Sequence, residues 1–158
     1  MKLRYTFLLA SLILFTACKK TEVQKCDEPI PDSGLIAASV DFGACVYQNL
    51  NSNTYIIQDS IEYSNLQKEI VDNIQEGSIC DFPEIDFDKY TILGHYSEGV
   101  GCTINFNRSV IADSTALSVK YNISKVECGD CEIIGYSYNF ILVEPKVTSD
   151  YQISFTTE

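Results

Sequence analysis

Residues 103–123, TINFNRSVIADSTALSVKYNI, alternate apolar and polar side chains, break at Asp113-Ser114, and then alternate again. Ile104, Phe106 and Val110 share one parity before the break, and Leu117, Val119, Tyr121 and Ile123 share one after it. Successive side chains on a strand point to opposite faces, so this stretch predicts a β-hairpin with one buried face, the second set directed inward. The same period continues downstream. Ile134, Tyr136, Tyr138, Phe140 and Leu142 form one side of a long strand that stops before Pro145. Core packing is the expected role of Tyr136 and Tyr138, because they share the parity of Phe140 and Leu142. Tyr151, Ile153 and Phe155 alternate with Gln152, Ser154 and Thr156 in a last strand.

Upstream of the hairpin the period changes. Asp59 reads as a helix N-cap, with Glu62 three residues on as the second half of a capping box. Tyr63, Leu66, Ile70 and Ile74 follow at helical spacing, and Gly77 is the expected stop. Residues 54–57 and 90–96 read as strands, the latter followed by a turn among Gly94, Gly99 and Gly101. Residues 35–47 are apolar and β-prone, with Val40, Phe42 and Val46 in step and Gly43 as a bend. The pattern as a whole predicts an α+β domain, an antiparallel sheet carrying one amphipathic helix on a face.

The amino terminus belongs to another category. Residues 1–18, MKLRYTFLLASLILFTAC, place Lys2 and Arg4 before an apolar run and small residues before a cysteine. The run is too short for a membrane span, which takes about 20 apolar residues. It resembles the signal peptide and lipobox of a bacterial lipoprotein, which implies cleavage before Cys18 and acylation of that residue. The expected organisation is a signal peptide at 1–17, a lipidated tether at 18–33 and one α+β domain at 34–158. By the same resemblance, Lys19 is not the aspartate that retains lipoproteins at the inner membrane, so the implied address is the outer membrane of a bacterial envelope. Cleavage removes Lys2 and Arg4, leaving nine basic against 22 acidic residues, a net charge of −13 on a mature chain of 141 residues. That charge disfavours nucleic acid and anionic lipid surfaces as partners; a solvated acidic surface is its expected role, and a basic or cationic partner is the alternative.

With Cys18 acylated, Cys26, Cys45, Cys80, Cys102, Cys128 and Cys131 remain, an even set in an oxidising compartment. Three disulfides are expected. Cys45 ends a strand-like run and Cys80 opens the loop after the helix, so these two are paired. Folding the 103–123 hairpin about its turn brings Cys102 towards Cys128 or Cys131, and Cys26 takes whichever is left.

The run TYIIQDSIEYSNLQKEI followed by Ile85-Asp86-Phe87-Asp88-Lys89-Tyr90-Thr91-Ile92-Leu93 resembles small secreted lipoproteins related to the C-terminal domain of the PrcB protease-complex subunit. The likeness spans residues 54–145, with I-D-F-x-K-x-T-x-L as its most specific part. It implies an accessory protein rather than a catalyst.

Patterns that carry chemistry have plainer readings here. His95 is the sole histidine, and it stands near Ser97 and Glu98. Close neighbours on a strand do not converge on one point as a triad requires. Cys128-x-x-Cys131 joins two strands, whereas redox C-x-x-C motifs open helices. Asp81, Glu84, Asp86 and Asp88 crowd one loop without the D-x-D-x-D-G run of a calcium loop. Alternation around Phe87 already accounts for Asp86 and Asp88. The chain is therefore expected to be no enzyme, with no cofactor and no metal. It is read as an envelope module, held to the membrane through lipid on Cys18, that binds a protein partner or serves a larger assembly. The alternative is a small-ligand or carbohydrate module. Mass spectrometry of native material is expected to show an acylated Cys18 and no alkylatable thiol; free thiols throughout and an unmodified start would refute the export reading.

Overall fold

The computed structural model describes residues 31–43, 45 and 49–158. The segment 1–17, Cys18 and Cys26 lie outside these residues, as do Ala44, Val46 and Tyr47. In chain order the elements are β1 (Ser33–Gly34), β2 (Ile36–Ser39), β3 (Thr54–Ile57), α1 (Ser60–Asp72), β4 (Thr91–Val100), β5 (Thr103–Asp113), β6 (Ser118–Cys128), β7 (Ile134–Val143) and β8 (Gln152–Thr157).

The 103–123 stretch forms the expected hairpin, β5 and β6 paired antiparallel from Thr103↔Cys128 to Asp113↔Ser118. Val119, Tyr121 and Ile123 are buried as expected. Leu117 is not: it is 45% exposed and sits at φ 47. The connection is a four-residue turn, 114–117, in which Asp113 Oδ1 accepts from the amides of Thr115 and Ala116 at 2.8 and 3.0 Å. This longer turn takes Leu117 out of the strand, so its parity no longer sets its direction.

The strands form two four-stranded sheets, in the orders β1-β5-β6-β8 and β2-β7-β4-β3. The second is antiparallel throughout. The first has parallel pairs at both margins, β1 with β5 and β6 with β8. Strand alternation alone reads as one succession of hairpins. The chain instead leaves β6 to run back as β7 in the other sheet, so β8 returns to the first sheet in the direction of β6.

Three layers result. One face of the β2-β7-β4-β3 sheet contributes Ile92 and Phe140 to a cluster with Tyr63, Leu66 and Ile70 of α1, together with Phe42, Leu50 and Ile57. Its other face contributes Leu93, Ile141 and Val143 to a cluster with Val110, Val119, Tyr121 and Ile123 of the first sheet. Thr91, Ile92, Leu93 and Gly94 are accordingly buried in succession, the mark of a strand covered on both sides. Gly94 has a steric reason. A Cβ at this position would overlap the ring of Phe140, which lies across the glycine from the paired strand.

Helix α1 starts as its sequence foretells. Asp59 Oδ1 accepts from the amides of Ile61 and Glu62 at 2.9 and 2.8 Å. Glu62 Oε2 accepts from the amide of Gln58 at 2.6 Å, one residue further back than in a standard capping box. The helix stops at Asp72, short of Gly77, with Asn73 as C-cap and its side-chain amide donating to the Glu69 carbonyl at 2.9 Å. Asn73 thus satisfies an end carbonyl that the expected glycine stop would have left to a later turn. Two features tie the layers together. Val147 accepts from Gln58 Nε2 at 2.7 Å and donates to Thr91 Oγ1 at 3.0 Å. Arg108 of β5 grips Asp32 through Nε and Nη2 at 2.8 and 2.6 Å and reaches Ser39 of β2 at 2.6 Å.

Gly94→Ala is expected to destabilise the domain by about 1–3 kcal/mol, the usual cost of overpacking a filled core; chemical denaturation checks this, and an unchanged midpoint would show that Phe140 can move aside freely.

Candidate functional site

Residues of even number on β4 and β7 share the face on which α1 lies. The register pairs Ile92 with Leu142, Gly94 with Phe140, Tyr96 with Tyr138, Glu98 with Tyr136 and Val100 with Ile134. The helix cluster takes in the first two rows. Beyond them the side chains emerge: Tyr136 is 44% exposed, Val100 48% and Ile134 67%. The parity read from sequence for Tyr136 and Tyr138 is correct, but Tyr136 is not a core residue, because α1 spans only part of the strand length.

The rings along this face touch in series. Phe140 and Tyr138 stack at 6.3 Å between centroids, Tyr138 meets Tyr96 at 5.1 Å, and Tyr96 lies nearly parallel to Tyr136 at 6.5 Å. These are ordinary separations for favourable aromatic pairs. Together with Asn49, Leu50 and Asn53, the three tyrosines line an open hollow of about 400 Å³. Its wall is braced from below. Tyr55 donates its hydroxyl to Glu69 Oε1 at 2.7 Å and accepts from the Ser52 amide at 3.1 Å, and Glu69 also accepts from the Asn51 amide. Asn49 adopts the left-handed conformation at φ 57, which asparagine tolerates better than most residues. On the face itself, Tyr96 donates to Glu98 Oε2 at 3.2 Å. Burial pushes the hydroxyls of Tyr55, Tyr96 and Tyr138 above the usual phenol value, so all three stay protonated at neutral pH.

The candidates of the sequence reading fall elsewhere. His95 and Ser97 lie on the opposite face of β4 from Glu98, as strand alternation demands. His95 Nδ1 is 3.3 Å from the Asn53 carbonyl, which can only accept, so Nδ1 carries the hydrogen and Nε2 accepts from the Thr157 hydroxyl at 2.9 Å. Ser97 Oγ is 3.4 Å from that same hydroxyl. The imidazole packs on Phe155 and Tyr121 at 5.4 and 6.3 Å. The strand expected at 90–96 runs on to Val100, so His95 lies mid-strand, and burial holds its pKa below the ordinary value. In the acidic loop, Asp86 is occupied by Lys89 at 2.8 Å and by the Asp88 amide at 3.1 Å. Among the described residues no group of three or more His, Cys, Asp or Glu is placed to hold a metal ion.

The cysteines pair. Cys45 is bonded to Cys80, as expected, with Cα atoms 4.5 Å apart. Of the two partners open to Cys102, the structure selects Cys131, at 4.8 Å between Cα atoms. Gly129 at φ 77 makes room for it, since a Cβ there would come within 2.6 Å of Cys102 Sγ. Cys128 is disulfide-bonded too, and Cys26, its expected partner, lies outside the described residues. No described helix is long and apolar enough to cross a membrane.

Val100, Glu98, Ile134 and Tyr96 were not legible as site residues; the one signal was a cluster of tyrosines in step near the strand ends. Comparison with protein-family models, with curated proteins and with solved structures finds no match to this chain.

A folded-state pKa for His95 below its ordinary 6.5 means that the unfolded chain takes up this proton first. Stability contributed by the neutral ring is present above pH 6.5 and is lost as pH falls towards the folded-state value. Urea midpoints for wild type and His95→Gln, compared at neutral pH and about one unit below 6.5, are expected to converge on acidification; parallel midpoints would refute the assignment.

Proposed function

We propose that the protein is a lipid-anchored lipoprotein of the bacterial envelope, a non-enzymatic module that binds another protein through the tyrosine face of β4 and β7. The observation that carries the reading is the contiguous face of Tyr96, Tyr136 and Tyr138 running out to Val100 and Ile134, past the end of helix cover. Apolar and aromatic surface of this kind, rimmed by polar groups, is what protein contacts use. The lipobox at 15–18, the paired cysteines and the resemblance of residues 54–145 to PrcB-related lipoproteins support export and an accessory role. Two of the groups that sequence offers for catalysis, His95 and Ser97, are engaged within the fold by Asn53 and Thr157.

A second reading, a small-ligand or carbohydrate module, draws on the hollow itself, where Asn49 and Asn53 stand beside ring faces. Sugars are held by that combination of stacking and amide hydrogen bonds.

The two readings separate by photocrosslinking in intact envelopes. Ile134→p-benzoylphenylalanine is expected to yield one discrete protein adduct that Tyr136→Ser abolishes, while the same probe at exposed Ile111, on the other sheet, yields none. Glycan binding that depends on Asn53, with no adduct from position 134, would replace the first reading with the second.

A further inference from the structure

Glu98 stands in the middle of the tyrosine face, opposite Tyr136 and one row from Tyr96 and Tyr138. It is exposed, it accepts from the Tyr96 hydroxyl, and among the described residues no lysine or arginine forms an ion pair with it. None of the described residues lining the adjoining hollow is basic. A carboxylate flanked by tyrosine rings, on a chain of net charge −11, is complementary to a cation that can also lie flat on an aromatic ring. Arginine meets both demands, because its planar guanidinium stacks on tyrosine and grips a carboxylate through two parallel hydrogen bonds. Lysine meets only the first, as a point charge.

The next row outward is aliphatic, Val100 beside Ile134. Rows on one face of a strand lie about 6.8 Å apart, two residues of rise, which is also the spacing of alternate side chains in an extended peptide. An arginine over Glu98 therefore sets the side chain two residues away over Val100 and Ile134.

Resting on the protein-binding reading above, we infer that the occupant of this face is an extended segment of the partner protein carrying an arginine and an aliphatic residue two positions apart.

The probes are short peptides with an Arg-Thr-Leu or a Leu-Thr-Arg centre in a glycine and serine frame, titrated into the folded, oxidised protein and followed by NMR of the tyrosine rings; the tighter binder carries the comparisons below. Shifts are expected at Tyr96, Tyr136 and Tyr138. Affinity is expected to fall about tenfold with Glu98→Gln or Tyr136→Ser, the scale of one charge-assisted contact, and to be unchanged by Glu76→Gln, which removes one exposed charge elsewhere. Replacing the peptide arginine by lysine weakens binding, and replacing it by glutamate abolishes it. Equal weakening by Glu76→Gln and Glu98→Gln would mean general charge attraction and would overturn the inference, as would no ring shift at millimolar peptide. If the peptide fails while crosslinking from position 134 still traps a protein, the arginine inference falls and the protein-binding reading stands. If both fail, both fall.

Discussion

The whole molecule depends on one sheet being covered from both sides. The β4–β7 ladder is the common wall of two cores, Ile92 and Phe140 facing α1 and Leu93, Ile141 and Val143 facing the other sheet. A strand in this position cannot have a polar face along its covered part, and 91–94 has none that is unsatisfied: Thr91 is buried but bonded to Val147. Gly94 belongs to the same constraint, since the ring of Phe140 occupies the space that a side chain would fill. Burial at this density explains why the hydrophobic contribution is concentrated here, with so many side chains removed from water.

The cover is unequal in length, and that inequality creates the candidate site. The helix runs only from Ser60 to Asp72, whereas the ladder continues to Val100 and Ile134. The alternation that places Phe140 in the core places Tyr138 at its margin and Tyr136 outside it. The aromatic series is thus core at one end and surface at the other. A ring system anchored in a rigid sheet has little conformational freedom left to lose. The bracing of the 49–53 loop by Tyr55 and Glu69 adds to this rigidity, because it holds one wall of the hollow to the helix.

The disulfides act at the margins of this arrangement. Cys45–Cys80 ties the segment beneath the helix core to the loop that leaves α1, and Cys102–Cys131 clamps the turn between β6 and β7 to the start of β5. Each bridge closes a long loop, and the conformational freedom of the unfolded chain is the quantity that it reduces. Arg108 serves a comparable purpose without a covalent bond, joining Asp32 before β1 to Ser39 of β2 across the gap between the two sheets.

Local patterns were legible in the sequence because they follow from local physics. Period-two alternation placed β5, β6, β7 and β8, helical spacing with the Asp59 cap placed α1, and chain organisation paired Cys45 with Cys80. The turn at 114–117, the end of α1 at Asn73 and the choice of Cys131 for Cys102 depended on hydrogen bonds and on the glycine at 129, which spacing does not encode. The division into two sheets, the parallel pairing of β8, and above all the exposure of Tyr136 were decided by tertiary structure alone. Alternation states which face a side chain takes, but how far a covering helix extends over that face depends on packing between elements distant in the chain.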